Sequence, residues 1–177
     1  MPFALITGAS KGIGKAMALE LAARGYDLLL LARSEDLLKE TASEIAAGSN
    51  ISCQWLARDL SGDQAAERVY THCKEHAFPV SVLVNNAGYG LSGSFEKYPM
   101  EAHADMLRLN IITLVSLTRL FLPDLKKQPA SYVLNIGSSA AYQAIPFLSA
   151  YAASKSFVLS FSRGLRGELK GTAVSVT

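Results

Sequence analysis

Six short β-rich runs, at 3–7, 27–32, 51–57, 80–85, 132–137 and 173–177, punctuate the chain. Between them lie five stretches with apolar residues every three or four positions, at 13–24, 35–47, 62–76, 101–127 and 150–170. Such alternation leaves few architectures, because parallel strands need long crossovers and the crossover helices must cover the sheet. The pattern predicts an α/β fold, a doubly wound parallel sheet in three α/β/α layers, with residues 1–177 forming a single domain that ends after its sixth strand. Punctuation agrees: Gly25 follows the first helix, Gly48-Ser49-Asn50 the second, Ser61-Gly62-Asp63 opens the third, and Pro123 and Pro129 bracket the end of the fourth.

Half of the residues are hydrophobic and 18% are charged. That is below the roughly 25% charged of ordinary globular proteins, and suits a sheet covered on both faces. The net charge of +2 is spread over scattered lysines, so a nucleic-acid partner is not expected. No apolar run approaches the roughly 18 residues of a membrane span, and the first residues enter a strand without a basic leader. No span and a cytoplasmic location are therefore expected. Cys53 and Cys73 fit no zinc spacing and read as reduced core thiols. His72 and His76 sit four apart with no third ligand beside them, so no metal centre is expected and the pair reads as a solvated helix face. The 101–127 stretch is apolar on nearly all sides. One face, with the 150–170 helix, is open to packing in a homo-oligomer, although core burial alone gives the same pattern.

The first strand runs into Thr7-Gly8-Ala9-Ser10-Lys11-Gly12-Ile13-Gly14 and then a helix. Glycines there let the backbone turn tightly and approach a pyrophosphate, as in Rossmann-like nucleotide sites, while helix-terminal N–H groups face the anion. The spacing is GxxxGxG rather than GxGxxG, and a strand–helix connection alone would also use such glycines. Asn85-Asn86-Ala87-Gly88 ends the fourth strand. Tyr151 and Lys155 stand four apart, on one helix face. A free tyrosine ionises near 10, and about three units, or about 4 kcal/mol, separate that from neutrality. One ammonium about 4 Å away supplies about that much at an intermediate dielectric. Ser138, thirteen residues before Tyr151, lies at the carboxyl end of a strand, where parallel sheets place their ligand crevice. A hydroxyl there can donate to a carbonyl oxygen.

With its TGxxxGxG turn, Asn86-Ala87-Gly88, Asn110, Ser138 and Tyr151-x-x-x-Lys155 in order, the chain resembles the short-chain dehydrogenase/reductase family over residues 3–177. The wording around Ser138 and Tyr151 is similar to the branch with 3-oxoacyl and 17β-hydroxysteroid reductases. The resemblance implies an NADP(H)-dependent oxidoreductase acting on a carbonyl or alcohol. Tyr151 would be the general acid, Lys155 the cation that favours its ionisation and holds the nicotinamide ribose, and Ser138 the group that orients the carbonyl. Asn110 matches the helix asparagine whose backbone carbonyl holds a water reconnecting Lys155 to solvent.

Gly8, Ser10, Lys11, Gly12, Ile13 and Gly14 would form the pyrophosphate turn, Asp59-Leu60 would contact adenine, and Asn86-Ala87-Gly88 would line the cofactor. NAD-preferring members carry an acidic residue after the second strand, where this chain has Ala32-Arg33-Ser34. Arg33 and Lys11 are thus placed to bind a 2′-phosphate. Tyr89, Gly90, Ala140, Gln143 and Phe147 should face the substrate, and they favour a small-molecule carbonyl of apolar character. The family pattern continues past the sixth strand into a mobile substrate loop. A chain ending at Thr177 is expected to hold the catalytic constellation without much of what selects the substrate. A non-catalytic cofactor-binding or interaction protein of the same fold is the competing reading.

Overall fold

The computed structural model describes residues 2–177. Its strands are β1 (Phe3–Thr7), β2 (Asp27–Ala32), β3 (Cys53–Ala57), β4 (Val80–Asn85), β5 (Ser131–Asn135) and β6 (Val174–Val176). They form one sheet in the order β3-β2-β1-β4-β5-β6, and every pair is parallel. The helices are α1 (Gly12–Ala23), α2 (Glu35–Gly48), α3 (Ala65–Glu75), α4 (Met100–Leu107), α5 (Leu114–Leu125) and α6 (Ser149–Glu168).

Every residue of β1, β2 and β4 is buried, which is why these strands read as continuous apolar runs rather than alternating ones. Alternate side chains feed two cores. Ala4, Ile6, Leu28, Leu30 and Val84 meet α1 and α2 through Ala18, Leu38 and Ile45. Leu5, Leu29, Leu31, Leu83 and Val133 meet α3, α5 and α6 through Val69, Phe121 and Leu165.

Two elements depart from expectation. α3 starts at Ala65 rather than near 62, because Asp59 Oδ1 accepts the Ser61 N–H at 2.9 Å and its hydroxyl at 2.8 Å while Gln64 is left-handed at φ 56°. The 101–127 stretch is interrupted by a π-helical turn at Arg108–Thr113, between α4 and α5. As expected, α5 ends between Pro123 and Pro129, at Leu125.

Taken together, Met100–Leu125 is a 26-residue helix with an 18-residue window of mean hydropathy 1.4. Contrary to expectation, it is long and apolar enough by length and composition to cross a membrane. Within this fold Met106, Leu114, Leu117, Phe121 and Leu125 are buried. A core helix passes the same test of length and hydropathy, so the helix assigns no location.

Phe121 is among the largest fully packed side chains, with an edge-on contact to Tyr70 at 5.1 Å between ring centroids. Phe121→Ala should cost about 3–5 kcal/mol, from lost transfer energy and an unfilled cavity. Urea unfolding of parent and variant measures it, and a loss under about 1 kcal/mol would show that this core can collapse around the gap.

Candidate active site

The sheet order turns at the neighbouring strands β1 and β4: connections from β1 run outward through β2 and β3, and those from β4 run the other way. A crevice opens at the carboxyl ends of strands where such directions diverge. Here it has a volume of about 510 Å³. Its floor is a polar join. Thr7 Oγ1 accepts the N–H groups of Asn86 and Ala87, both at 2.9 Å, and donates to Val84 O at 3.2 Å. The Asn86 side chain donates to the carbonyls of Thr7 at 2.9 Å and Gly8 at 3.0 Å.

Gly8 and Gly12 adopt φ of 66° and 57°, a region that side chains resist. A Cβ on Gly14 would collide with the Gly8 carbonyl oxygen, so this glycine is required for close approach. Lys11, at the N-cap of α1, gives no side-chain cap, and no acidic residue occupies the first turn. The open N-terminus of α1 therefore meets the crevice, where Lys11, Gly12 and Ile13 form part of the wall, and an anion is favoured there.

The far end of the crevice is bounded by Arg33, Asp59 and Leu60. The Ser61 backbone N–H holds the Asp59 carboxyl below the usual range, helped by the Ser61 hydroxyl and by Arg33. Tyr89 also forms part of this wall, and its hydroxyl donates to Asp105 Oδ2 at 2.8 Å. Burial first, and then the Asp105 bond, pushes the Tyr89 phenol up to about 12.

At the other end stand Tyr151 and Lys155. Gly90 lets the chain pass against the Tyr151 ring, since a Cβ there would lie 3.0 Å from it. Lys155 is buried, with Nζ donating to the Ile136 carbonyl at 2.7 Å and standing 6.0 Å from the Tyr151 ring centroid. Burial lowers its pKa from the ordinary lysine value. Ser138 Oγ accepts the Ala140 N–H at 3.1 Å and caps the short 3-10 turn Ser139–Tyr142. That bond uses a lone pair and leaves the hydroxyl proton for another acceptor.

Most of the sequence-derived residues meet in one place. Gly8, Ser10, Asn86, Ala87 and Gly88 line the same crevice as the two cations, the Asp59-Leu60 pair, Tyr151 and Lys155. Gly14 packs behind the turn. Asn110 is buried behind the wall, in the π-helical turn, and bonds the backbone of Tyr89 with both ends of its amide.

Among the residues expected to face a substrate, Tyr89 instead joins the crevice wall, and Ala140 is buried beneath the Ser138 turn. Gln143 and Phe147 are exposed. Sequence reasoning gave no role to Thr7, although it opens the glycine motif, nor to the Ile136 carbonyl or Ser154. Their contributions include bonds across 77, 19 and 44 positions. Away from the crevice, the His72 and His76 rings lie 4.1 Å apart between centroids and tilted by 36°, and a His76 ring nitrogen bonds the His72 carbonyl.

A model of short chain dehydrogenases matches residues 2–177. This chain belongs to the short-chain dehydrogenase family. It is 33% identical over 180 residues to the very-long-chain 3-oxoacyl-CoA reductase of Rattus norvegicus, covering 98% of this chain and 56% of that protein. It is 35% identical over 179 residues to human 17-beta-hydroxysteroid dehydrogenase type 3, with the same two coverages. The chain thus spans a little over half the length of these relatives. A short-chain dehydrogenase from Sphingobium yanoikuyae, solved in complex with NADPH, superposes with a TM-score of 0.93 at 33% identity, covering all of this chain and 69% of that one.

The lowered pKa of Lys155 has a measurable consequence. A lysine that binds its proton less firmly when folded makes stability rise with pH, through the window between its folded pKa and its unfolded value of 10.5. Below that window the buried ammonium is a full cost, so the parent should gain stability relative to Lys155→Met as pH climbs toward 10.5. Thermal denaturation of both proteins at pH 7 and pH 10 reads the difference. A gap independent of pH would contradict the burial argument.

Proposed function

We propose that the protein carrying this chain is an NADP(H)-dependent oxidoreductase that interconverts a carbonyl and an alcohol. The observation that carries the reading is the meeting, in one crevice, of the glycine turn at the α1 N-terminus with Tyr151 and Lys155. Residues 2–177 supply the cofactor-binding unit. The uncapped helix end, the left-handed Gly8 and Gly12, and the close fit of Gly14 suit a pyrophosphate. Lys11 and Arg33, both exposed at the crevice, suit a 2′-phosphate, and the NADPH-bound relative supports that choice.

A nicotinamide held in the crevice would supply the hydride that a carbonyl carbon accepts in reduction. The Tyr151 hydroxyl gives a proton to the carbonyl oxygen, and the C=O becomes an alcohol. Ser138 donates a hydrogen bond to that oxygen and holds it toward Tyr151. Lys155, fixed by Ile136 O, favours the tyrosinate left behind and offers its remaining N–H bonds to the ribose. Asn110, whose side chain is bound to Tyr89, presents its backbone to the proton path behind Lys155.

Apolar carbonyl compounds fit the exposed aromatic rim at Tyr142 and Phe147, and the names of the relatives point the same way. A homo-oligomer through the 101–127 and 150–170 helices is supported by Ile112 and Phe157, large apolar residues left exposed on them. The free thiols Cys53 and Cys73 suit a cytoplasmic location.

Two measurements test the reading. NADPH should bind roughly ten- to a hundredfold more tightly than NADH, since charge-assisted bonds contribute about 1.5–3 kcal/mol. Arg33→Ala should lose most of that preference, and titrations giving equal affinities in the parent would sink the assignment. Tyr151→Phe should keep NADPH binding and lose roughly 10²- to 10⁴-fold in turnover of any carbonyl the parent reduces. Near-parental turnover would refute the proton donor.

A further inference from the structure

Ser154 has no part in the roles above, yet it lies between Tyr151 and Lys155 on α6 and is wholly buried. Its hydroxyl donates to the Tyr151 carbonyl at 2.7 Å. Such a bond back to the preceding turn is common for a helical serine and means little alone. The second bond is different: Ser154 Oγ accepts from Asn110 Nδ2 at 3.1 Å, across 44 positions and from another helix.

Asn110 is equally buried, and its amide is fully used. Nδ2 gives its other hydrogen to Tyr89 O at 3.0 Å, and Oδ1 accepts the Tyr89 N–H at 3.1 Å. Tyr89 is in turn anchored to Asp105 and forms part of the crevice wall. A continuous strap therefore runs from that wall, through Asn110 and Ser154, to the backbone of Tyr151. Water does not reach either central residue, so no solvent molecule stands ready to replace a lost partner.

We infer that Ser154 is a positioning residue that ties the Tyr151 turn of α6 to the Asn110–Tyr89 wall and so fixes where the Tyr151 hydroxyl stands. The inference rests on the reading of Tyr151 as proton donor. Neither Oγ bond of Ser154 reaches the crevice, so cofactor and substrate affinity should be spared. A small displacement of a reacting group, by contrast, is felt in the chemical step.

The test uses the full-length protein and compares Ser154→Ala, Ser154→Thr and Tyr151→Phe with the parent. Ser154→Ala should lower kcat roughly tenfold, with KM for the carbonyl and Kd for NADPH within about twofold, and should move the pH at which kcat is half-maximal. Ser154→Thr keeps the hydroxyl and should restore both kcat and the pH profile. If its added methyl group prevents folding, Ser154→Cys, a weaker donor, should fall between parent and alanine. A folded Ser154→Ala enzyme with parental kcat and pH profile overturns the inference. So does a folded threonine variant, or a cysteine variant where threonine does not fold, that is no better than alanine. If Tyr151→Phe itself keeps full turnover, the catalytic reading fails and the inference falls with it. Loss in Tyr151→Phe with no change in Ser154→Ala removes the inference alone.

Discussion

The hydrogen-bonded join between the ends of β1 and β4 is the contact on which the crevice depends. The chain leaves β1 at Gly8, and the carbonyls of Thr7 and Gly8 call for donors at that turn. Asn86 supplies both missing donors from its side-chain amide, and Thr7 returns the favour to the backbone of Asn86 and Ala87. With these carbonyls held, Gly8 can stay left-handed and Gly14 can press against it, which aims the α1 N-terminus into the gap. A longer side chain at either glycine would force the turn outward and close the space in which a pyrophosphate would sit.

Deeper in the sheet, a second polar line crosses an otherwise apolar core. Asn85 Nδ2 donates to Asn135 Oδ1 at 2.8 Å and to Thr118 Oγ1 at 3.1 Å, and Asn135 Nδ2 donates to Ser162 Oγ at 2.9 Å. These bonds link β4, β5, α5 and α6 just beneath the residues that matter. Buried amide groups are costly where unpartnered, as Asn85 Oδ1 is here, while the bonds made by Asn85 Nδ2 and by Asn135 allow one arrangement where apolar packing would tolerate several. Lys155 follows the same logic with a charge. Its burial works against stability, and the Ile136 carbonyl, one residue beyond β5, gives the ammonium a fixed direction. Rigidity under the crevice is thus obtained from groups that a more stable core would replace with leucine or valine.

The existence of the strands was legible because β1, β2 and β4 are buried on both faces, which leaves no ambiguity in their apolar runs. The glycine turn was legible at a junction of strand and helix, and Tyr151 and Lys155 as a four-residue pair on α6, because their order along the chain matches the family's motifs. The π-helical turn at Arg108–Thr113 was not, since one extra residue per turn hardly disturbs the apolar rhythm over six residues. Nor was the late start of α3, where one aspartate side chain captured the backbone before the helix could begin. The anchor of Tyr89 was not legible for a related reason. The position of Tyr89 after Gly88 is local information, but its direction is set by Asp105, sixteen positions away on α4. Long-range single bonds leave no periodic trace.

The arrangement also separates chemistry from selection. Tyr151, Lys155 and Asn110 sit on helices braced against the sheet, and Ser138 caps a short turn directly after β5. The exposed rim runs instead through the irregular stretches around residues 90–99 and 143–148. One strained point joins those stretches: Phe147 is left-handed at φ 65°, and its carbonyl accepts the Gly93 N–H at 2.9 Å. An aromatic residue holds that conformation only where its surroundings impose it. The first stretch meets the buried His103 of α4 through the Phe95 ring, 4.7 Å away between centroids, and meets Tyr151 across the flat face of Gly90. A fold built this way braces Tyr151 and Lys155 against the sheet and leaves variation to the outer loops.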